Sequence, residues 1–173
     1  MTTPWKTAWI TGGSTGIGRE LAIKLAAQGV KLAVSARSSE TLEELARTHE
    51  NILAFPLDVT ARMDVAAVHK RIVEAIGPID LAILNAGVWH PMNAAEYAAT
   101  RVAQSMSVNY IGIANALEPL IPTMIAAGKG QIALVASVAG YRGLPKAAAY
   151  APSKAAVISL AEVLRLELQR HGI

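Results

Sequence analysis

The chain has 173 residues, 53% apolar and 17% charged, with 13 Gly and 8 Pro. That balance is too apolar for a disordered chain and too weakly biased for collagen or a coiled coil. A formal net charge of +3, from 16 Lys and Arg against 13 Asp and Glu spread along the chain, leaves no basic stripe for nucleic acid, and the absence of Cys excludes disulfides and thiolate metal sites. The four His show no ligand spacing, so no metal is expected. The longest charge-free stretch, Val102–Leu117, is interrupted by Gln104, Asn109 and Asn115, so no membrane span is expected either. The N-terminus lacks the basic patch, apolar run and cleavage site of a secretory signal, which fits a cytoplasmic enzyme or binding domain. The length predicts one domain, residues 1–173.

Lys6–Thr11 reads as the first strand and Gly16–Gln28 as a helix stopped by Gly29. Val30–Ala36 is a second strand, Ser39–His49 a helix, Ile52–Leu57 a third strand, and Ala61–Ile76 a helix stopped by Gly77-Pro78. Asp80–Leu84 is a fourth strand. A long helical region follows within Asn93–Ala127, stopped by Gly128, and then a fifth strand, Gln131–Ser137. The last helix runs from about Tyr150 to Arg170, with Pro152 in its first turn, where no helical hydrogen bond is lost. Most strands are apolar without alternation, as in a parallel sheet buried on both faces. Right-handed crossovers then predict an α/β, doubly wound sheet of about five strands with helices on both faces and a ligand beyond the strands' carboxyl ends. In the last helix Ile158 and Leu166 fall among Glu162, Arg165 and Gln169, which is either a subunit contact or ordinary exposed aliphatics.

The first strand runs into Thr11-Gly12-Gly13-Ser14-Thr15-Gly16-Ile17-Gly18 and then a helix. Glycines at such a turn let the backbone approach a pyrophosphate, while the helix N-terminus offers unpaired N–H groups and partial positive charge. A nucleoside-triphosphate loop would need Gly-Lys-Ser/Thr where this chain has Gly18-Arg19-Glu20, so the pattern points to a dinucleotide. Specificity is read at the end of the second strand, where an acid would bind the ribose 2′-hydroxyl of NAD. This chain has Ser35-Ala36-Arg37-Ser38-Ser39 there. Ala36 cannot bind that hydroxyl, whereas Arg37 with Ser38 or Ser39 suits a 2′-phosphate, which favours NADP(H) and leaves NAD(H) possible. The plainer alternative is that Arg37 is a solvated charge.

Tyr150 and Lys154 are four apart at the start of the last helix and share a face. An ammonium beside a phenol favours the phenolate, which makes the tyrosine a usable general acid or base. Ser137 ends the fifth strand at the carboxyl edge, where its hydroxyl can reach a substrate oxygen. The spacing by itself is equally that of a buried ring beside a solvated lysine.

In order and spacing, the motif T-G-x-x-x-G-x-G at Thr11–Gly18, Asp58 after the third strand, Asn85-Ala86-Gly87 after the fourth, Asn109, Ser137 and Tyr150-x-x-x-Lys154 resemble the short-chain dehydrogenase/reductase family over essentially the whole chain. The resemblance implies a Rossmann-type fold and hydride transfer between a nicotinamide and a carbonyl or alcohol substrate. It implies that Tyr150 is the acid/base, that Lys154 binds nicotinamide-ribose hydroxyls and tunes Tyr150, that Ser137 orients the carbonyl, and that Asn109 holds a water in the proton relay. For the cofactor it implies contacts from Gly12, Ser14, Thr15, Gly16, Ile17 and Gly18, from Arg37, from Asp58 and Val59 at the adenine, and from Asn85, Ala86, Gly87, Tyr150 and Lys154. Two positions have plainer roles open to them: Asp58 as a cap for a helix starting at Thr60–Ala61, and Gly87 as a tight turn.

Two features depart from the family. Ser14-Thr15 supply no basic residue in the glycine loop, as NADP-preferring members often do, so the preference rests on Arg37. The chain also stops at His171-Gly172-Ile173, where the family continues into a sixth strand, a Pro-Gly turn and a substrate-covering segment. The expectation is a domain C-terminally incomplete relative to the family, with Gln131–Ser137 as a sheet edge. Trp89, His90 and Met92, and Ala139–Ala147 after Ser137, either line the remaining substrate pocket or pack as ordinary loops. The family is commonly dimeric or tetrameric through the helices at Asn93–Ala127 and Tyr150–Arg170, so a homodimer or homotetramer is expected. The alternative function is a non-catalytic nucleotide-binding or oligomerisation module that lacks the segment closing over substrate.

Overall fold

In the computed structural model, which describes residues 3–173, five parallel strands form one sheet in the order β3-β2-β1-β4-β5. The elements in chain order are β1 Thr7–Thr11, α1 Gly16–Ala26, β2 Lys31–Ser35, α2 Ser39–Arg47, β3 Ile52–Ala54, α3 Arg62–Ile76, β4 Leu81–Leu84, α4 Ala99–Met106, α5 Gly112–Ala127, β5 Gln131–Leu134 and α6 Tyr150–Leu168. Every residue of β1 and β4 is buried. These central strands are covered on both faces, which is why they read as continuous apolar runs. One face packs Ala8, Ile10, Leu32 and Val34 against Ala22 and Leu25 of α1 and Leu42 and Leu45 of α2. The other packs Trp9, Ala33, Ala82 and Leu84 against Val65 and Ile72 of α3 and Ile113, Leu117 and Leu120 of α5.

Two strand ends need correction. The third and fifth strands end at Ala54 and Leu134, earlier than Leu57 and Ser137. Their apolar continuations stay extended and keep some ladder bonds: the Phe55 and Leu57 N–H groups donate to the Val34 and Ala36 carbonyls, and Val135 N–H to Leu84 O. Pro56 lies between, and its missing N–H falls on the free side of the edge strand β3, where no ladder bond is lost. The region Asn93–Ala127 is divided into a 3-10 turn Ala94–Glu96, α4, a π-helical turn Ser107–Ile111, and α5. The unbroken run Ala99–Ala127 is also long and apolar enough, by length and composition, to cross a membrane. Here its apolar stripe of Ile113, Leu117, Leu120 and Met124 is buried against the sheet core.

Helix α5 ends at Gly128, whose φ of +63° is the left-handed cap that a side chain would disfavour. At the amino end of the sheet, Asp80 accepts from Lys6 N–H at 3.0 Å and from Lys129 Nζ at 3.0 Å. β5 lies at the edge of the sheet, next to β4.

Candidate functional site

The carboxyl ends of β1 and β4 are stapled together. Thr11 Oγ1 accepts from the Asn85 and Ala86 N–H groups at 3.1 and 3.2 Å, and Asn85 Nδ2 donates to the Gly12 carbonyl at 3.0 Å. On the other side of β1, the Gly12 and Gly13 N–H groups both donate to the Ser35 carbonyl, at 2.7 and 3.2 Å. The glycine loop is therefore fixed by backbone bonds to both neighbouring strands. It is also too crowded for side chains: a Cβ on Gly18 would lie 2.3 Å from the Gly12 carbonyl oxygen, and one on Gly12 would lie 2.7 Å from the Ala86 Cα. The chain is thus drawn tight enough to present backbone, rather than side chains, to a ligand.

A cleft of about 730 Å³ opens beside this loop. Of the residues expected to hold a cofactor, Gly12, Ser14, Thr15, Ile17, Arg37, Asp58, Val59, Asn85, Ala86 and Gly87 line it. Gly16 and Gly18 start α1, with Gly18 buried beneath the loop and Gly16 exposed at its rim. Ala36, Ser38, Leu57, Val88 and Val108 complete the lining. The volume, the glycine cradle and the N-terminus of α1 suit a dinucleotide.

Asp58 lies in a tight turn. Its Oδ1 accepts from the Thr60 N–H at 2.9 Å and the Thr60 hydroxyl at 2.8 Å, and α3 begins only at Arg62. Asp58 is therefore a turn residue and does not cap the helix. The two Thr60 bonds, with a smaller contribution from the Arg37 charge, hold its carboxyl below the ordinary carboxylate range.

The second group of predicted residues meets one step along the same edge. Asn109, buried in the π-helical turn, accepts from the Val88 N–H at 2.7 Å. Its Nδ2 donates to the Val88 carbonyl at 3.1 Å and to Ser153 Oγ at 2.9 Å. Ser153, also buried, donates to the Tyr150 carbonyl at 2.6 Å. Lys154 is buried as well, and its Nζ donates to the Val135 carbonyl at 2.7 Å and stands 5.6 Å from the centre of the Tyr150 ring. Burial disfavours the charged ammonium and pushes its pKa down. Ser137 starts the 3-10 turn Val138–Gly140, and its Oγ accepts from the Ala139 N–H at 3.2 Å. That turn abuts α6, since a Cβ on Gly140 would lie 2.8 Å from the Lys154 carbonyl.

Gly87 joins the two groups. It lines the cleft, and a Cβ there would lie 3.3 Å from Asn109 Oδ1 and 3.6 Å from Lys154 Nζ. Sequence reasoning missed the Ser35 carbonyl clamp and the Ser153 link. The first acts through backbone and has no side-chain signature. The second had a signal, a small polar residue just before Lys154 in the middle of an otherwise apolar helical turn.

A model of the short chain dehydrogenase family matches residues 6–173. An oxidoreductase of Listeria monocytogenes is 36% identical, over 99% of this chain and 71% of its own length. The NADP-bound structure of ElxO superposes with a TM-score of 0.92 at 27% identity, over 98% of this chain and 70% of that one. A short-chain dehydrogenase/reductase of Burkholderia phymatum in complex with NAD gives 0.93 at 31% identity, over 99% and 63%. This chain therefore spans about two thirds of the length of those proteins. With the glycine cradle, the parallel sheet and this similarity along its length, the chain belongs to the short-chain dehydrogenase family of oxidoreductases.

Proposed function

We propose that this chain carries the cofactor cleft and the acid/base group of an enzyme that transfers a hydride between NADP(H) and a small carbonyl compound or the matching alcohol. The observation that supports this best is the position of Gly87, shared between the dinucleotide-sized cleft and the Asn109–Lys154 cluster beside Tyr150. Gly12, Ser14, Thr15, Gly16, Ile17 and Gly18, with the N-terminus of α1, would hold the pyrophosphate. Asp58 and Val59 would take the adenine, Asn85 and Ala86 the middle of the cofactor, and Tyr150 and Lys154 the ribose next to the nicotinamide. Arg37 and Ser38, both exposed on the cleft wall beside an uncharged Ala36, favour a 2′-phosphate over a free 2′-hydroxyl.

A reduced nicotinamide, when bound, supplies two electrons and a hydrogen to the carbonyl carbon. The chain's own work is at the oxygen. As the C=O π bond opens, Tyr150 Oη gives its proton to the carbonyl oxygen, and in the oxidation direction the resulting phenolate takes a proton from the alcohol. Ser137 Oγ donates a hydrogen bond to the same oxygen and stabilises its developing charge. Asn109 holds the loop at Val88 and a water through which the phenolate recovers its proton.

The test is NADPH oxidation by this chain with a panel of ketones and aldehydes, alongside calorimetric NADPH affinity. Tyr150→Phe is expected to lose roughly 100-fold or more in turnover, against a loss of no more than about 5-fold in cofactor affinity from the missing ribose hydrogen bond. Unchanged turnover in that variant overturns Tyr150 as the acid/base. NADPH binding without turnover in the unaltered chain favours a nucleotide-binding module.

We also infer a homo-oligomer. Between α5 and α6 lies an apolar groove walled by Tyr110, Leu117, Ile121, Leu160 and Leu164, and a second copy of the same two helices would fill it.

A further inference from the structure

Trp89 lies two residues beyond Gly87 and is 49% exposed. Its ring meets that of Tyr150 edge to face, with centroids 4.9 Å apart and planes at 86°. The backbone is tied on both sides of Trp89. The Val88 N–H and carbonyl are both bonded to the Asn109 side chain. Three residues after Trp89, the buried Met92 donates its N–H to the Lys146 carbonyl at 2.9 Å. Among the described residues, Lys146 is the non-glycine residue with a positive φ, +62°, a conformation that persists only where its surroundings fix it. The same tie joins the Trp89 loop to the segment after Ser137, which exposes Val138, Tyr141 and Leu144.

A half-exposed aromatic ring on a tethered loop therefore stands against the proposed acid/base. On the function proposed above, Tyr150 and Ser137 hold the carbonyl oxygen. Because the indole packs against the Tyr150 ring, a group on the carbonyl carbon that turns to that side of Tyr150 meets the indole. An aromatic ring attached to the carbonyl carbon is coplanar with the C=O group through conjugation, and it gains an aromatic contact in addition to buried area. A saturated ring of equal size gains only the area. We propose that Trp89 determines specificity, selecting carbonyl compounds that carry an aromatic or conjugated ring directly on the carbonyl carbon.

The inference rests on the proposed function, and the experiment separates the two. NADP⁺ affinity is measured first, by calorimetry. Methyl phenyl ketone and methyl cyclohexyl ketone are then titrated into the NADP⁺-saturated protein by ligand-observed NMR, for the unaltered chain, Trp89→Phe and Trp89→Leu. The unaltered chain is expected to prefer the phenyl ketone by about 5-fold, Trp89→Phe to retain the preference and Trp89→Leu to lose it, with NADP⁺ affinity equal in all three. Equal affinity for the two ketones in the unaltered chain, or a preference that survives in Trp89→Leu, overturns the role of Trp89. Failure of the unaltered chain to bind NADP⁺ overturns the functional reading, and this one with it.

Discussion

Arg37 is exposed on the wall of the cleft, and its charge is one of the influences that keep the Asp58 carboxyl ionised. A 2′-phosphate bound there would replace that carboxyl as the stronger partner, because a guanidinium pairs with phosphate through two parallel charge-assisted bonds. Arg37→Glu removes these bonds and sets a second carboxylate beside Asp58. NADPH affinity is expected to fall roughly 100-fold, while NADH, which has only a hydroxyl at that position, loses no more than about 3-fold. Calorimetric titration of both cofactors decides it, and equal losses would mean that Arg37 does not read the phosphate. The sequence made Arg37's place on the cleft legible because the residue follows the carboxyl end of β2. The role of Ser35 was illegible: it contributes a carbonyl to the Gly12 and Gly13 N–H groups, which any residue type would supply.

The helical elements were recognised by period, and period hides the π-helical turn. Buried positions Asn109, Ile113, Leu117, Leu120 and Met124 keep ordinary helical spacing across it. The insertion shows only in the backbone, where the Gly112 N–H reaches back to the Ser107 carbonyl. Strand ends were misread for a related reason, since Phe55 and Leu57 remain apolar, extended and bonded to β2 beyond the end of β3, so no change of residue type marks it. The π-helical turn sets Asn109 between two other elements, the loop at Val88 and the first turn of α6 at Ser153. Asn109→Leu keeps the shape but leaves the Val88 N–H and carbonyl and the Ser153 hydroxyl without this partner, at a cost of about 3 kcal/mol. Asn109→Asp keeps the bond from the Val88 N–H but sets a buried acceptor oxygen against the Val88 carbonyl, and is expected to lose at least as much. Urea unfolding of the three proteins measures both, and an Asn109→Leu midpoint equal to that of the parent would show that the bridge does not stabilise the fold.

Strand order links these pieces to the rest of the molecule. With β2 on one side of β1 and β4 on the other, successive crossovers leave β1 in opposite directions, and a crevice opens where they part. The glycine loop after β1 and the Asn85–Val88 segment after β4 form its two walls, so the site's location followed from the βαβ rhythm of the sequence. The outer surface of α6 did not follow. Periodicity set Ile158 and Leu166 on one face among Glu162, Arg165 and Gln169, but the Ile158 side chain fills the space where a Cβ on Gly140 would lie, while Leu166 stays 76% exposed. Apolar side chains that α6 shares with α5 are instead Leu160 and Leu164, on a different side of the helix from Leu166. If that groove receives a second copy, Leu164→Glu buries a carboxylate without a partner, at about 3 kcal/mol or roughly 100-fold weaker association. Leu166→Glu serves as the matched control. Sedimentation velocity is expected to shift Leu164→Glu towards monomer and leave Leu166→Glu with the parent, both with the parent's circular dichroism. A shift in Leu166→Glu alone would move the contact to the other face of α6, and a monomeric parent would remove it.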